Sequence, residues 1–78
     1  MPRFFFHIFN DEVTLDEEGL LLPSAAAAAR EALRSARSLA ASDVAAGRLN
    51  LTHRIDVLDE THAVIASVSF SDAIDLTI

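Results

Sequence analysis

The sequence predicts an α+β domain of two layers, β-β-(β)-α-β-β, with an antiparallel sheet and one long helix packed on one of its faces. Three observations carry this prediction. The chain opens on an aromatic, β-rich stretch, "RFFFHIF". A long segment from Ser24 to Gly47 is dominated by alanine, leucine and arginine. Two alternating segments then follow, joined by a short polar turn. Hairpin connections around a single long helix make a two-layer arrangement the natural solution.

Residues 3–9 read as the first strand, because aromatic and β-branched side chains suit a pleated surface. "NDE" (10–12) supplies turn chemistry, and "VTLD" (13–16) reads as a short return strand. "DEEG" (16–19) is a second turn, closed by Gly19, which takes a positive φ without steric cost. Three leucines (20–22) fit either a third short strand or a buried connection leading to Pro23.

The helix is expected over about 24–46. Ser24 is placed to cap it, although Ala27 denies it a capping box. Gly47 is placed to end it. At 1.5 Å per residue such a helix is ~33 Å long, enough to cross a small sheet. Ala25, Ala29, Ala32, Ala36, Leu39, Ala40 and Val44 form the apolar stripe expected on its inner side, with Leu33 at the edge. A stripe made mostly of alanine lets the helix lie close to whatever it covers.

After Gly47, residues 51–58 alternate, with Leu51, His53, Ile55 and Val57 on one side. "DETH" (59–62) is a turn. Residues 63–70 put Val64, Ala66, Val68 and Phe70 on one side of the returning strand, completing a hairpin. The remaining "SDAIDLTI" (71–78) extends that strand or trails as a tail.

Composition narrows the function. With 78 residues and no cysteine, the chain forms at most one small domain, without disulfides, zinc–thiolate sites or thiol chemistry. A domain of this size buries only ~60–65% of its extended surface and commonly relies on association for support. The net charge of −6, from twelve acidic residues against six arginines, disfavours nucleic acid as the main ligand. "FFFHIF" is too short and too soon followed by Asn10, Asp11 and Glu12 to be a signal segment, and no apolar run is long enough to span a bilayer. A cytoplasmic, soluble protein is the expectation.

The opening stretch is apolar on both faces of its strand: Phe4, Phe6 and Ile8 point one way, Phe5, His7 and Phe9 the other. One helix covers one face. The second face is therefore expected to be an interface, most simply of a homodimer or with another protein, unless the leucines at 20–22 and the C-terminal tail fold over it. Arg30, Arg34 and Arg37 form one stripe on the helix, spaced i, i+4 and i+7. That stripe meets solvent, an acidic partner or a phosphate row. These six residues are the candidate partner-binding set.

The opening Met1-Pro2-Arg3-Phe4-Phe5-Phe6-His7, "LDEEG" (15–19), "LP" (22–23), "AREALRSAR" (29–37) and "RIDVLDE…SFSDAI" (54–74) resemble a family of short bacterial proteins described only as a domain of unknown function. The resemblance implies no activity, substrate or catalytic residue. The alanine run at 25–29 departs from the family's pattern at the helix start. More loosely, residues 3–41 look like the N-terminal half of HicB-type antitoxins, which implies a small fold that oligomerises and covers a toxin.

Chemistry is sparse. His7, His53 and His62 are the only imidazoles, and none has the spacing of a metal-ligand pair. Asp16, Glu17 and Glu18 lack the calcium-loop pattern and read as a solvated turn. No serine stands in a nucleophile elbow, and two glycines in all leave no phosphate-cradling loop. No catalytic residue, cofactor or metal is expected. A regulatory nucleic-acid binder using the arginine stripe is the alternative, and an enzyme built on His7 or His53 with a carboxylate is a distant third.

Overall fold

The computed structural model describes residues 1–77. The elements run β1 (Arg3–Phe9), β2 (Val13–Thr14), β3 (Leu20–Leu21), α1 (Ala25–Ala45), β4 (Arg54–Leu58), β5 (Val64–Ser69) and α2 (Phe70–Ala73). The fold is α+β: an antiparallel sheet in the order β2-β1-β4-β5, with β3 also paired to β1, and one long helix.

Phe4, Phe6 and Ile8 of β1 and Ile55 and Val57 of β4 pack on α1, on a row of fully buried alanines at 28, 32, 36 and 40. The helix begins where Ser24 Oγ accepts from Ala27 N at 3.1 Å. It ends at Gly47, whose φ of +89° no other residue type adopts as readily.

The inner stripe of α1 differs from the expected one at both ends. Ala28 is buried, whereas Ala25 and Val44 are exposed. The contact follows a single i, i+4 row, and a 21-residue helix of ~32 Å overhangs strands of five to seven residues.

Three strand bounds are corrected. The return strand expected at 13–16 stops at Thr14, because Asp16 turns away to bond the main chain of β1. The strand expected at 51–58 begins only at Arg54, because Asn50 Oδ1 accepts from Thr52 N and folds 50–52 into a turn. The strand expected at 63–70 ends at Ser69. Ser69 and Asp72 form a capping box there, and Phe70, 1% exposed, starts the short helix α2 that plugs the core. Val64 also leaves the inner side, since a bulge sets Val64 opposite Leu58 while Val57 still faces Ala66.

The two long edges of the sheet differ. On its far edge β1 pairs with β2 at Ile8 and Phe9 and with β3 at Arg3 and Phe4. In the gap between them, Asp16 Oδ2 accepts from Phe6 N at 3.1 Å, a carboxylate in place of a strand carbonyl. At the opposite edge β5 has no further strand among the described residues.

Candidate functional site

The pairing register places the outer face of the sheet in rows. Phe5 lies opposite Leu58, and Leu58 opposite Val64; His7 opposite Asp56, and Asp56 opposite Ser67; Phe9 opposite Arg54, and Arg54 opposite Ser69. Val13 continues the last row beyond Phe9. Phe5, His7 and Phe9 thus share one face, apolar in the Phe5 row, polar along its middle and mixed in the Phe9 row.

Single side chains and one turn cover this face. The His62 ring stacks on Phe5, with centroids 5.2 Å apart. His62 holds the left-handed backbone, φ 65°, at the end of the β4–β5 turn. Arg54 lies over the Phe9 ring at 4.1 Å, and its Nε also reaches Asp56 at 3.2 Å. Asp56 accepts a further bond from Ser67 Oγ. The Asp16–Gly19 turn closes the Phe5–His7 end. Asp16 N donates to His7 Nδ1 at 3.0 Å. A Cβ on Gly19 would sit 3.0 Å from the Phe5 ring.

Among the described residues, which leave out Ile78 of the tail, cover comes from neither source considered in the sequence. Leu20 and Leu21 are exposed, and Ile74 of the tail packs on the helix-side core. Phe5, His7 and Phe9 remain partly exposed, and Val13 (62%) and Val64 (58%) open the face at two corners.

Within the acidic corner, Glu17 and Glu18 are solvated, but Asp16 organises the turn. Its Oδ1 accepts from Glu18 N and Gly19 N, and its Oδ2 from Phe6 N. Burial works against its charge, but the N–H groups of Gly19, Phe6 and Glu18 outweigh that and hold the carboxyl below its ordinary range.

The arginine stripe is partly engaged within the chain. Arg34 Nη2 pairs with Glu31 at 2.7 Å. Arg37 Nε donates to Ala73 O at 2.8 Å, tying α1 to α2. Arg30 is exposed.

His53 lies on the other side of the sheet from His7, so the two imidazoles do not share a site. Its ring is buried edge-on to Phe70 and lines an open cleft of about 220 Å³ with Asp11, Asp43, Arg48, Leu49 and Asn50. Asp11 Oδ1 stands 3.6 Å from Nε2, and Asp43 Oδ2 stands 3.8 Å from Nδ1. Both distances exceed a hydrogen bond, and Nδ1 is the one buried side-chain polar atom left unpaired among the described residues. Carboxylates on opposite ring nitrogens cannot converge on one ion. Among the described residues no three His, Asp or Glu side chains form a metal-ligand group. Neither Asp11 nor Asp43 carries a local sequence signal for this meeting, since it depends on the end of α1 reaching the β1–β2 turn.

Among the described residues no helix is long and apolar enough to cross a membrane. A family model described as "Domain of unknown function (DUF6894)" matches residues 3–71. No curated protein and no solved structure matches the chain.

Proposed function

The chain belongs to the DUF6894 family, whose description assigns no activity, and from its own surface we propose that it is a non-catalytic protein-interaction module that works as a homo-oligomer. The observation that supports this reading is the outer face of the sheet. Phe5 and Phe9 there are covered by one imidazole, one guanidinium and the Asp16–Gly19 turn rather than by a layer of structure.

Each large apolar side chain removed from water is worth about 1.5–3 kcal/mol, a large share of the stability of a small domain. Partly exposed Phe5 and Phe9, with Val64 and Val13 exposed at two corners, flank a polar row of His7, Asp56 and Ser67 and suit a surface that alternates between water and a protein partner. The likeness of residues 3–41 to HicB-type antitoxins points the same way, toward a small sheet that oligomerises and covers another protein.

Nucleic-acid binding through Arg30, Arg34 and Arg37 has less support. Arg34 and Arg37 already have intramolecular partners, and the chain carries a net charge of −6. Sedimentation equilibrium over a wide concentration range tests the main reading. Reversible association is expected, and a single-chain mass at every concentration overturns it.

A further inference from the structure

We infer that a second copy of this chain docks on the free edge of β5, pairing its own β5 antiparallel across a two-fold axis. The inference rests on the homo-oligomeric reading and places the contact between copies at a sheet edge, which leaves the outer face with Phe5, Phe9 and Val13 free for another protein.

The argument starts from the contrast between the two sheet edges. The β1 edge is shut by β2, by β3 and by the Asp16 carboxylate between them. The β5 edge has no strand against it among the described residues. Natural sheets usually blunt such an edge with charge, proline or a bulge. Here the chain has no Asp, Glu, Lys, Arg or Pro from Thr61 to Ser71. The edge's one irregularity is the bulge, which sets Val64 and Ile65 against the single residue Leu58 and leaves them 58% and 40% exposed.

Charge selects the occupant. Two copies of a chain with a net charge of −6 repel one another wherever their acidic residues meet. Between Glu60 and Asp72 the strand carries no charge, so the ladder itself adds no such repulsion. A strand pairing antiparallel with itself is also self-complementary, as a two-fold interface must be. The contact is small: a six-residue ladder with Val64 and Ile65 at its margin falls short of the ~1,000 Å² of a tight dimer. The association is therefore reversible and concentration-dependent. Pairing of this kind sets two sheets side by side and leaves Phe5, His7 and Phe9 of both copies on one continuous outer face.

The test uses the full chain and two kinds of variant, each checked for its fold by circular dichroism. Ile65→Lys and Val64→Lys place a like charge on both sides of the two-fold. Each is expected to weaken dimerisation by about tenfold or more. Val13→Lys, at the far end of the outer face, should change it by less than about twofold. Because the chain has no cysteine, Ser67→Cys offers a second readout: mild oxidation should trap a disulfide-linked dimer, and Val13→Cys should not. If Val13→Lys dissociates the dimer and both β5 variants leave it intact, the edge is wrong while the homo-oligomeric reading stands. If the parent chain is monomeric throughout, both fall.

Discussion

Phe4 and Phe9 belong to one strand and are the same residue, yet they lie in different surroundings. Phe4 is 4% exposed, pressed on a helix whose facing side is alanine. Phe9 lies on the other side of the sheet beneath the guanidinium of Arg54. On the inner face the alanines at 28, 32, 36 and 40 let α1 pack directly on Phe4, Ile55 and Val57. The outer face is covered by the His62 ring, the Arg54 guanidinium and the Asp16–Gly19 turn. Packing by a layer is cooperative and costly to disturb, whereas a lid of single side chains can open without unfolding the domain.

The largest expected effect measures this contrast directly. Phe4→Ala should cost about 3–5 kcal/mol, the usual loss for a buried aromatic. Phe9→Ala should cost about 1–2 kcal/mol, from partial burial and one exposed cation–π contact. Urea denaturation of both variants at low protein concentration reads the difference. Equal costs would mean that the outer face is as fully packed as the inner one.

Gly19→Ala should come next, at about 2–3 kcal/mol. Gly19 holds φ +70°, and a Cβ there would sit 2.8 Å from the carbonyl oxygen of Phe4, which is main chain and cannot swing aside. The turn would have to lift from Phe5 and His7, and near-UV dichroism of the phenylalanines should change with it. An unchanged spectrum and stability would show that the turn does not close this face.

How much of this was legible beforehand follows from the range of each interaction. The alternation of β1, the cap at Ser24, the stop at Gly47 and the β4–β5 hairpin are local, and each is readable from a few consecutive residues. The division of Phe5, His7 and Phe9 from Phe4, Phe6 and Ile8 followed from strand periodicity alone. The bulge at Val64–Ile65 was not readable, because it depends on the register against β4. The role of Asp16 as a substitute strand carbonyl was hidden for a similar reason: its partner is ten residues away, across a gap between two-residue strands. The meeting of His53 with Asp11 and Asp43 needed the length and direction of α1. What covers the outer face was not readable because single polar side chains and a turn, rather than an apolar segment, supply the cover.

Asp16→Asn should cost about 1–2 kcal/mol at neutral pH, less than the glycine change. The amide keeps one acceptor for Glu18 N and Gly19 N but turns an N–H toward the N–H of Phe6. The pH dependence supplies the sharper measurement. The Asp16 carboxyl is held below its ordinary value of 3.8 in the folded chain, so its contribution is fully present above that value. That contribution is lost as pH falls through the lower, folded-state value. Asp59 and Asp72 are depressed in the same direction, so the parent chain loses stability in acid from several groups. The gap between parent and Asp16→Asn should therefore narrow as pH falls below about 4. A gap that stays constant into strong acid would mean that the charge of Asp16 contributes nothing.

His62→Gly should have the smallest effect on stability, because two terms oppose one another. The left-handed backbone at φ 65° costs a non-glycine residue about 1 kcal/mol, and glycine removes that strain. Glycine also adds unfolded-state entropy and gives up the stack on Phe5, worth about 0.5–1.5 kcal/mol. The net change in melting temperature should stay within about 4 °C. Exposure of Phe5 should nonetheless rise, because the imidazole is its one aromatic cover. Binding of an apolar dye, with stability nearly constant, separates the two quantities. A variant that melts like the parent and binds more dye identifies His62 as a removable lid over an apolar surface, whereas unchanged dye binding would leave Phe5 shielded by the Asp16–Gly19 turn alone.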